Sequence, residues 1–390
     1  MSKTLQDYAT LINDTIQSNE INHYITTDNM CQNLGGIDTF KNINIPQGKV
    51  RSFQKDDVLL SNIRLYFRKV YRAKQKGGCS SDVLVFRAKH IDSATLFAIL
   101  SSQIFTDYAC SGSQGSKMPR GNKTHMMNFK IPTINFTIAK IFNSIQNKIE
   151  NNHKINELLH KILELLYEQY FVRFDFLDEN NKPYQTSGGK MKFSKELNRL
   201  IPNDFEVKTL GELITWISGS QPPKSCHIYE HKEGYIRFIQ NRDYSSNDYV
   251  TYIPISKNNK ICYQYDIMMD KYGEAGSVRF GLQGAYNVAL SKISVLNQSM
   301  QEYIRSYLNS KPIKKYLSNA CMASTRASLN ENHIYSLMLP IPPINLLQKY
   351  EKIAKNIITA IIKNNQSTQT LTAIRDFLLP LLLKQQVKPQ

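Results

Sequence analysis

The chain has 390 residues, with 49 Lys+Arg against 32 Asp+Glu and a formal net charge of +17. That length predicts about two to three domains, and a hydrophobic fraction of 41% supports real cores, which excludes wholesale disorder. No apolar run reaches the ~18 residues of a spanning helix, the start (Met1 to Asp7) turns polar where a signal peptide needs an apolar run, and six scattered cysteines without a Cys-x-x-Cys pair fit neither a disulfide framework nor a zinc module.

The expectation is therefore a reduced, cytoplasmic protein. A positive excess of this size points to a polyanionic partner, most often nucleic acid; the competing explanation is a compositional bias toward Lys, Asn and Ile.

In chain order, the first signal is Lys3-Thr4-Leu5-Gln6-Asp7 with Leu11-Ile12 behind it, and it returns as Lys208-Thr209-Leu210-Gly211-Glu212 with Leu213-Ile214. Tyr108-Ala109-Cys110 is echoed by Asn319-Ala320-Cys321. Phe129-Lys130-Ile131-Pro132-Thr133-Ile134-Asn135 is echoed by Leu339-Pro340-Ile341-Pro342-Pro343-Ile344-Asn345, and Ile149-Glu150-Asn151-Asn152 by Ile362-Lys363-Asn364-Asn365. The separations are 205, 211, 210 and 213 residues, one register with small insertions. Four matches in the same order predict two diverged copies of one unit.

Each copy opens with mixed strand and loop. Short apolar runs at 57–60 and 82–86, and at 249–253 and 264–268, read as strands, while apolar residues three and four apart predict helices over 93–108 and 298–318. Behind each globular part lies a stretch whose body lacks Gly and Pro. In the first, Ile138, Ile141, Ile145, Ile149, Asn152, Ile155, Leu159, Ile162 and Leu166 advance by three or four; Tyr350, Ile353, Ile357, Ile361, Thr368, Leu371, Ile374, Leu378 and Leu381 advance in nearly the same way. This stripe predicts a coiled coil, and a helix over 136–175 would reach ~60 Å. Asn152 and Asn365 hold matching places: either they set register at a helix seam, or each marks a solvated turn. Pro380 should kink or end its helix.

The expected fold is α+β: two globular units separated by two long helices that pair as an antiparallel coiled coil with pseudo-two-fold symmetry. The predicted boundaries are a recognition domain at 1–136, a long helix at 137–176, a linker at 177–204, a second recognition domain at 205–343 and a second long helix at 344–386. Two basic units held apart by a rod suit two separated DNA half-sites, which symmetric dimers read about 34 Å apart. Diverged copies predict half-sites of different sequence, hence an asymmetric bipartite target.

The order of globular unit, helix, globular unit, helix resembles the specificity subunit of type I restriction–modification systems, over essentially the whole chain. The phrases carrying the resemblance are Asp57-Val58-Leu59-Leu60-Ser61-Asn62-Ile63-Arg64, Gly78-Cys79-Ser80-Ser81-Asp82, Gly115-Ser116-Lys117-Met118-Pro119-Arg120, the run from Leu339 to Pro343, and Leu371-Thr372-Ala373-Ile374-Arg375-Asp376-Phe377-Leu378-Leu379-Pro380. The resemblance implies two target-recognition domains reading a split double-stranded DNA site, and helices that dock two methyltransferase subunits. It also implies that restriction subunits can join, and that this subunit performs no chemistry itself. S-adenosylmethionine for adenine-N6 methylation, and ATP with magnesium for restriction, would then belong to partners, with no cofactor in this chain and no membrane. The second copy departs from the pattern, having Ala323-Ser324-Thr325-Arg326 where the first has Gly115-Ser116-Lys117.

Motifs for resident chemistry are absent. No Asn- or Asp-Pro-Pro-aromatic motif occurs, and Gly112-Ser113-Gln114-Gly115-Ser116-Lys117 has the wrong spacing for a nucleotide-binding loop. Gly273-Glu274-Ala275-Gly276 reads as a tight turn. His227 and His231 could share a metal if helical, but Pro222-Pro223 and Gly234 favour a loop. The DNA-facing candidates are Arg64, Arg68 and Lys69, for which a half-buried strand with a solvated basic face is the alternative. Ser116, Lys117, Arg120, Asn122 and Lys123 follow in a polar loop, with Lys271, Arg279, Ser324, Thr325 and Arg326 in comparable places; Arg237, Asn241 and Arg242 are weaker. Tyr167, Tyr170, Phe171 and Leu382-Leu383 exceed a two-helix seam and serve either a partner or the chain's own units. Two rival functions stand beside the main one: a basic nucleic-acid scaffold without sequence preference, and a self-contained nuclease or methyltransferase.

Overall fold

A computed structural model describes residues 3–39, 41–131, 134–245, 249–322 and 328–383. The chain divides into two units, residues 1–155 with 366–390, and residues 156–365.

In the first unit, strands β1 (Ala9–Ile12), β2 (Thr15–Gln17), β3 (Tyr24–Ile25), β4 (Lys49–Phe53), β5 (Val58–Ser61), β6 (Val70–Arg72), β7 (Gly77–Cys79) and β8 (Val83–Ala88) form two four-stranded sheets, ordered β1-β8-β5-β6 and β2-β4-β7-β3. The first is antiparallel throughout; in the second, β3 runs parallel to β7. The apolar runs 58–60 of β5 and 83–86 of β8 show no alternation because both their faces are covered. Val58, Leu60, Leu84 and Phe86 pack with the helices Ser93–Ser101 and Gln103–Ser111, while Leu59, Val83 and Val85 pack with Phe53 and Tyr71. The helix expected over 93–108 is thus two. Ser102 is extended between them, and its Oγ accepts from the Phe105 amide at 3.2 Å, capping the second.

The first sequence echo is a capping device. Asp7 Oδ2 accepts from the Thr4 amide at 2.7 Å and from its hydroxyl at 3.0 Å. Glu212 Oε2 does the same for Thr209, at 2.7 Å for both.

The long helix Phe136–Tyr167 is unbroken through Asn152, continues as a π-helical turn Glu168–Val172, and is matched by Ile344–Leu378. The second helix gives way at Leu378 to the 3₁₀ turn Leu379–Leu383 that holds Pro380, as its ring requires. Within the first unit the Asn135 amide donates to the Leu382 carbonyl, Arg375 donates to Gln146, and Asn152 Nδ2 donates to Ser367 and Thr368. Asn152 is buried at this contact, so it is not a solvated turn.

The second unit holds β9 (Met191–Ser194), β10 (Arg199–Pro202), β11 (Glu206–Thr209), β12 (Ile214–Ser218), β13 (Tyr235–Ile239), β14 (Tyr252–Pro254), β15 (Ile261–Cys262), β16 (Ile267–Asp270), β17 (Val278–Arg279), β18 (Gly284–Tyr286), β19 (Leu290–Val295) and β20 (Met338–Ile341). Its main sheet, β12-β19-β16-β17, has the antiparallel pairing of the first unit's main sheet. The other four-stranded sheet is ordered β14-β13-β18-β15, with β13 parallel to β18 as β3 is to β7. The outer strand differs: β14 pairs with the parallel strand β13, whereas β2 pairs with the antiparallel β4.

The predicted linker 177–204 contains the β9–β10 hairpin, and Ile201, Phe174 and Phe205 are buried in this unit's core. Its apolar residues are too sparse to show a period: Ile201 is buried and Met191 and Leu197 pack against the core, while Leu177, Phe193 and Leu200 are exposed. The predicted helix over 298–318 also divides, into Gln301–Asn309 and Lys311–Met322, at extended Ser310. Asn156 Nδ2 donates to Asn365 Oδ1 at 2.7 Å, and Asn364 Nδ2 to Asn156 Oδ1 at 3.0 Å, beside packed Leu159, Leu163, Ile358, Ile361 and Ile362.

Glu351 accepts from the Glu302 amide at 3.0 Å, supplying the helix Gln301–Asn309 with the cap that its N-cap residue, Met300, does not provide. Burial pushes this carboxyl up to about 7, against the pull of the backbone amides. The folded state therefore binds the proton more tightly than the unfolded chain. That contribution is complete below the unfolded value near 4.3 and disappears as pH rises through 7. Relative to the wild type, Glu351→Gln should gain about 1–2 kcal/mol between pH 5 and pH 8, measured as the difference in thermal stability at the two pH values.

Candidate nucleic-acid interface

Two basic segments far apart in sequence meet in the first unit. The turn after β5 carries Arg64 and Arg68 in the left-handed region, at φ 50° and 48°, around the 3₁₀ turn Leu65–Phe67. The loop 112–122 closes on itself: Gln114 and Arg120 exchange amide–carbonyl bonds of 2.9 and 2.8 Å, and Gly115, at φ +98°, turns the tip. The Arg64 amide then donates to the Pro119 carbonyl at 2.9 Å, and the Gly121 amide to the Asn62 carbonyl at 3.1 Å. A side chain at Gly121 would meet Met126 Cε at 2.1 Å and Leu65 Cδ1 at 2.8 Å. Gly121→Val should cost about 2 kcal/mol by overpacking and weaken DNA binding by parting turn from loop; denaturant titration and duplex binding read the two effects separately.

The result is a basic, aromatic edge. Ser116, Lys117, Met118, Arg120 and Lys123 are exposed, and Tyr66 stands beside them, packed edge-on against Phe67 at 4.7 Å. The Arg64 guanidinium lies 6.0 Å over the Phe67 ring, with one nitrogen 3.4 Å from the Lys117 carbonyl. Arg120 pairs with Asp82 at 3.0 Å, yet its side chain is 62% exposed. Such a pair costs little to exchange for a phosphate.

Three of the expected contact residues in this unit have partners within the protein. Arg68 donates to the Ser101 carbonyl at 2.9 Å, approaches Asp376 at 3.9 Å, and is only 14% exposed; burial lowers its pKa. Lys69 Nζ donates to the Thr27 carbonyl at 2.6 Å. The residues 65–69 are not the expected alternative either, since a 3₁₀ turn replaces the strand. Asn122 Oδ1 caps the helix Lys123–Met127 by accepting from the His125 amide at 3.0 Å, so its acceptor is structural.

In the second unit, Arg279 likewise has partners within the protein. It donates twice to Asp270, at 3.0 and 2.9 Å, and to Glu274 at 2.5 Å, which leaves little of its fork for DNA. Burial raises the Asp270 pKa while the ion pair pulls it down. Lys271 is half-buried, with Nζ 3.3 Å from Ser218 Oγ, and burial lowers its pKa. The Leu329 amide donates to the Lys271 carbonyl at 3.1 Å, the counterpart of the Gly121–Asn62 bond. Ser324, Thr325 and Arg326 lie outside the described residues.

Sequence reasoning missed the exposed tyrosines. Tyr249, 69% exposed, sits under Arg242 at 5.9 Å, Tyr263 under Lys292 at 5.9 Å, and the Tyr272 carbonyl is 3.5 Å from Asn241 Nδ2. The available signal was tyrosine recurring beside Arg, Lys and Asn in turn-bounded segments. Gly273 and Gly276, at φ +73° and +86°, form the expected turn between β16 and β17. His227 follows a single 3₁₀ turn, Lys224–Cys226, so His227 and His231 share no helix face, and no metal-holding group occurs among the described residues.

Residues 202–373 match the type I restriction modification DNA specificity domain. Over 300 residues the chain is 24% identical to the type I restriction enzyme MjaIX specificity subunit of Methanocaldococcus jannaschii, which covers 74% of this chain and 67% of that one. The chain is similar to the specificity subunits of type I restriction–modification systems.

The MjaVIII specificity subunit of the same organism is 22% identical over 179 residues, 45% of this chain and 41% of the relative. The fold agrees with the crystal structure of a type I restriction–modification system S subunit from M. genitalium, at a TM-score of 0.63 and 15% identity over 99% of this chain and 96% of that one. Specificity subunits act in complexes with DNA and other subunits, and the family is in general non-catalytic. No helix among the described residues is long and apolar enough to cross a membrane.

The apolar residues thought to exceed the seam are placed differently from one docking surface. Tyr167 and Phe171 are buried and Tyr170 packs on them in the second unit's core, while Leu382 is buried in the first. The side chain of Leu383 lies outside the described residues. Leu158, Ile162 and Leu165, three and four residues apart, face outward instead.

Proposed function

We propose that this chain is a specificity subunit that reads an asymmetric, bipartite double-stranded DNA site and directs adenine-N6 methylation, and restriction, by separately encoded subunits in the cytoplasm. The observation that carries this reading is the junction of the 62–68 turn with the 112–122 loop, which sets Arg64, Ser116, Lys117, Arg120 and Lys123 along one exposed edge. Lys and Ser at the tip suit phosphates, while Arg64 and Arg120 carry the fork geometry that reads guanine. In the second unit Lys271, with the exposed Arg242 and Tyr272, serves the other half-site.

The matching main-sheet orders, capping boxes and loop bonds of the two units support descent from one duplicated unit, with different half-sites as the consequence. The order of helix contacts supports an antiparallel coiled coil. In each unit, partners on Ile344–Leu378 fall in number as those on Phe136–Tyr167 rise. Its buried asparagines define register, so the pair acts as the ruler for the spacer. The outward row Leu158, Ile162 and Leu165 suits docking of two methyltransferase subunits, with restriction subunits joining that assembly. S-adenosylmethionine, and ATP with magnesium, then bind the partners, and this chain itself is non-catalytic.

Binding of fluorescent duplexes by this chain with its methyltransferase subunits tests the proposal. A preference of at least 10³-fold for one gapped site over random duplex is expected. Equal binding of all duplexes would favour a basic scaffold without specificity, and methyl transfer or cleavage by the isolated chain would replace the reading with a self-contained enzyme.

A further inference from the structure

Arg375 is among the largest fully buried side chains of the described residues, and it belongs to a long helix rather than to the proposed DNA edge. One of its terminal nitrogens donates to the Asn33 carbonyl and to Gln146 Oε1, both at 3.2 Å; its other nitrogens pair with Asp376 at 3.0 and 3.3 Å. Gln146 donates in turn to the Leu34 carbonyl and to Glu150, and His153 Nδ1 lies 3.1 Å from the Gly35 carbonyl. The segment that these groups hold is strained: Asn33 and Leu34 are left-handed at φ 52° and 60°, and Leu34 is wholly buried.

The same segment holds the DNA-facing turn. The Asn33 amide donates to the Phe67 carbonyl at 2.9 Å and the Leu34 amide to the Arg68 carbonyl at 3.1 Å, between the left-handed residues Arg64 and Arg68. Arg64 then carries the loop through Pro119. A second strand of the network runs from Asp376 to Arg68. Four non-glycine residues in a conformation that side chains disfavour persist only where surrounding bonds over-determine them. Those bonds converge on one guanidinium.

We propose that Arg375 is a positioning residue for DNA readout by the first unit: from the helix it holds Asn33–Leu34, and through them the turn and loop that meet the bases. This rests on the functional reading above. The interaction is specific to one half-site, because every bond in the chain of contacts lies within the first unit.

The test is selection from a randomised duplex library by the full complex with its methyltransferase subunits, comparing the wild type with Arg375→Lys and Asp376→Asn. Lysine keeps the charge but has no fork to bridge Asn33 and Gln146. A double variant, Lys117→Ala with Arg120→Ala, marks the half-site read by the first unit. Arg375→Lys should lower base discrimination at that half-site by about 3- to 30-fold and leave the other half-site as in the wild type, with Asp376→Asn showing the same pattern more weakly. If Arg375→Lys yields no folded complex, the half-exposed Asp376→Asn carries the comparison. Unchanged discrimination at both half-sites, or equal loss at both, overturns the positioning role. A wild-type complex that selects no gapped motif overturns the functional reading, and the positioning role with it.

Discussion

Replacing Lys117, Arg120 and Lys123 together by alanine is expected to lower duplex affinity by on the order of 100-fold near physiological salt and to reduce the salt slope by about 3. All three side chains are exposed. Among the described residues the only ion pair lost is Arg120–Asp82, and exposed pairs contribute about 0–1 kcal/mol. Stability should therefore hardly change, which separates a binding defect from a folding one. Fluorescence anisotropy across a salt series reads both quantities. An unchanged slope would remove this loop from the DNA interface. The contrast with Arg68 is informative: its side chain bonds to Ser101, so Arg68→Ala should destabilise the fold and have little effect on the salt slope.

The second large effect is on stability. Asp57 is 2% exposed and accepts from Arg87 Nε and a terminal nitrogen, both at 2.8 Å, and from the Gln54 amide at 2.7 Å. Asp57→Ala leaves the guanidinium facing an apolar gap at the edge of the main sheet and orphans the amide. The expected loss is about 3 kcal/mol, visible in urea unfolding. The figure lies at the lower end for a buried pair because Arg87 keeps partial access to water. The second unit repeats half the device: Asp266 accepts from the Tyr263 amide at 2.8 Å but takes its cation from Lys292 at 3.0 Å.

The parts of this protein that were legible in the sequence are those governed by local rules. Thr4 and Asp7, and Thr209 and Glu212, sit at capping-box spacing, and both boxes form. The run 82–86 becomes a strand buried on both faces, and the long three-four stripe becomes an unbroken helix from Phe136. The breaks at Ser102 and Ser310 were missed because each lies within a continuous apolar period, and only the extended serine interrupts it. At the interface, the loop around Lys117 was visible from its Gly and polar content. What hid the roles of Arg68, Lys69 and Arg279 is that their partners are distant in the chain or depend on a turn. The carbonyls of Ser101 and Thr27, and the carboxylate of Asp270, become neighbours only after the sheets form. A basic residue beside an aromatic is equally consistent with either outcome.

Asn152 shows how tertiary context decides between two sound local readings. A pair of asparagines in a helix is compatible with a polar turn, but burial against Ser367 and Thr368 gives the amide partners that a turn would have drawn from water. In the second unit Asn156, Asn364 and Asn365 pair through their side-chain amides in the same manner. Buried amide pairs of this kind are the proposed physical basis for a fixed spacer in the target.

The most direct test of that target is single-molecule methylation mapping of genomic DNA from host cells with and without this gene. The account predicts that N6-methyladenine disappears from one asymmetric motif with two specified parts and an unspecified gap, and from no other motif. Loss of methylation at a short continuous motif, or identical methylation in the two strains while the methyltransferase subunits are expressed, would contradict it.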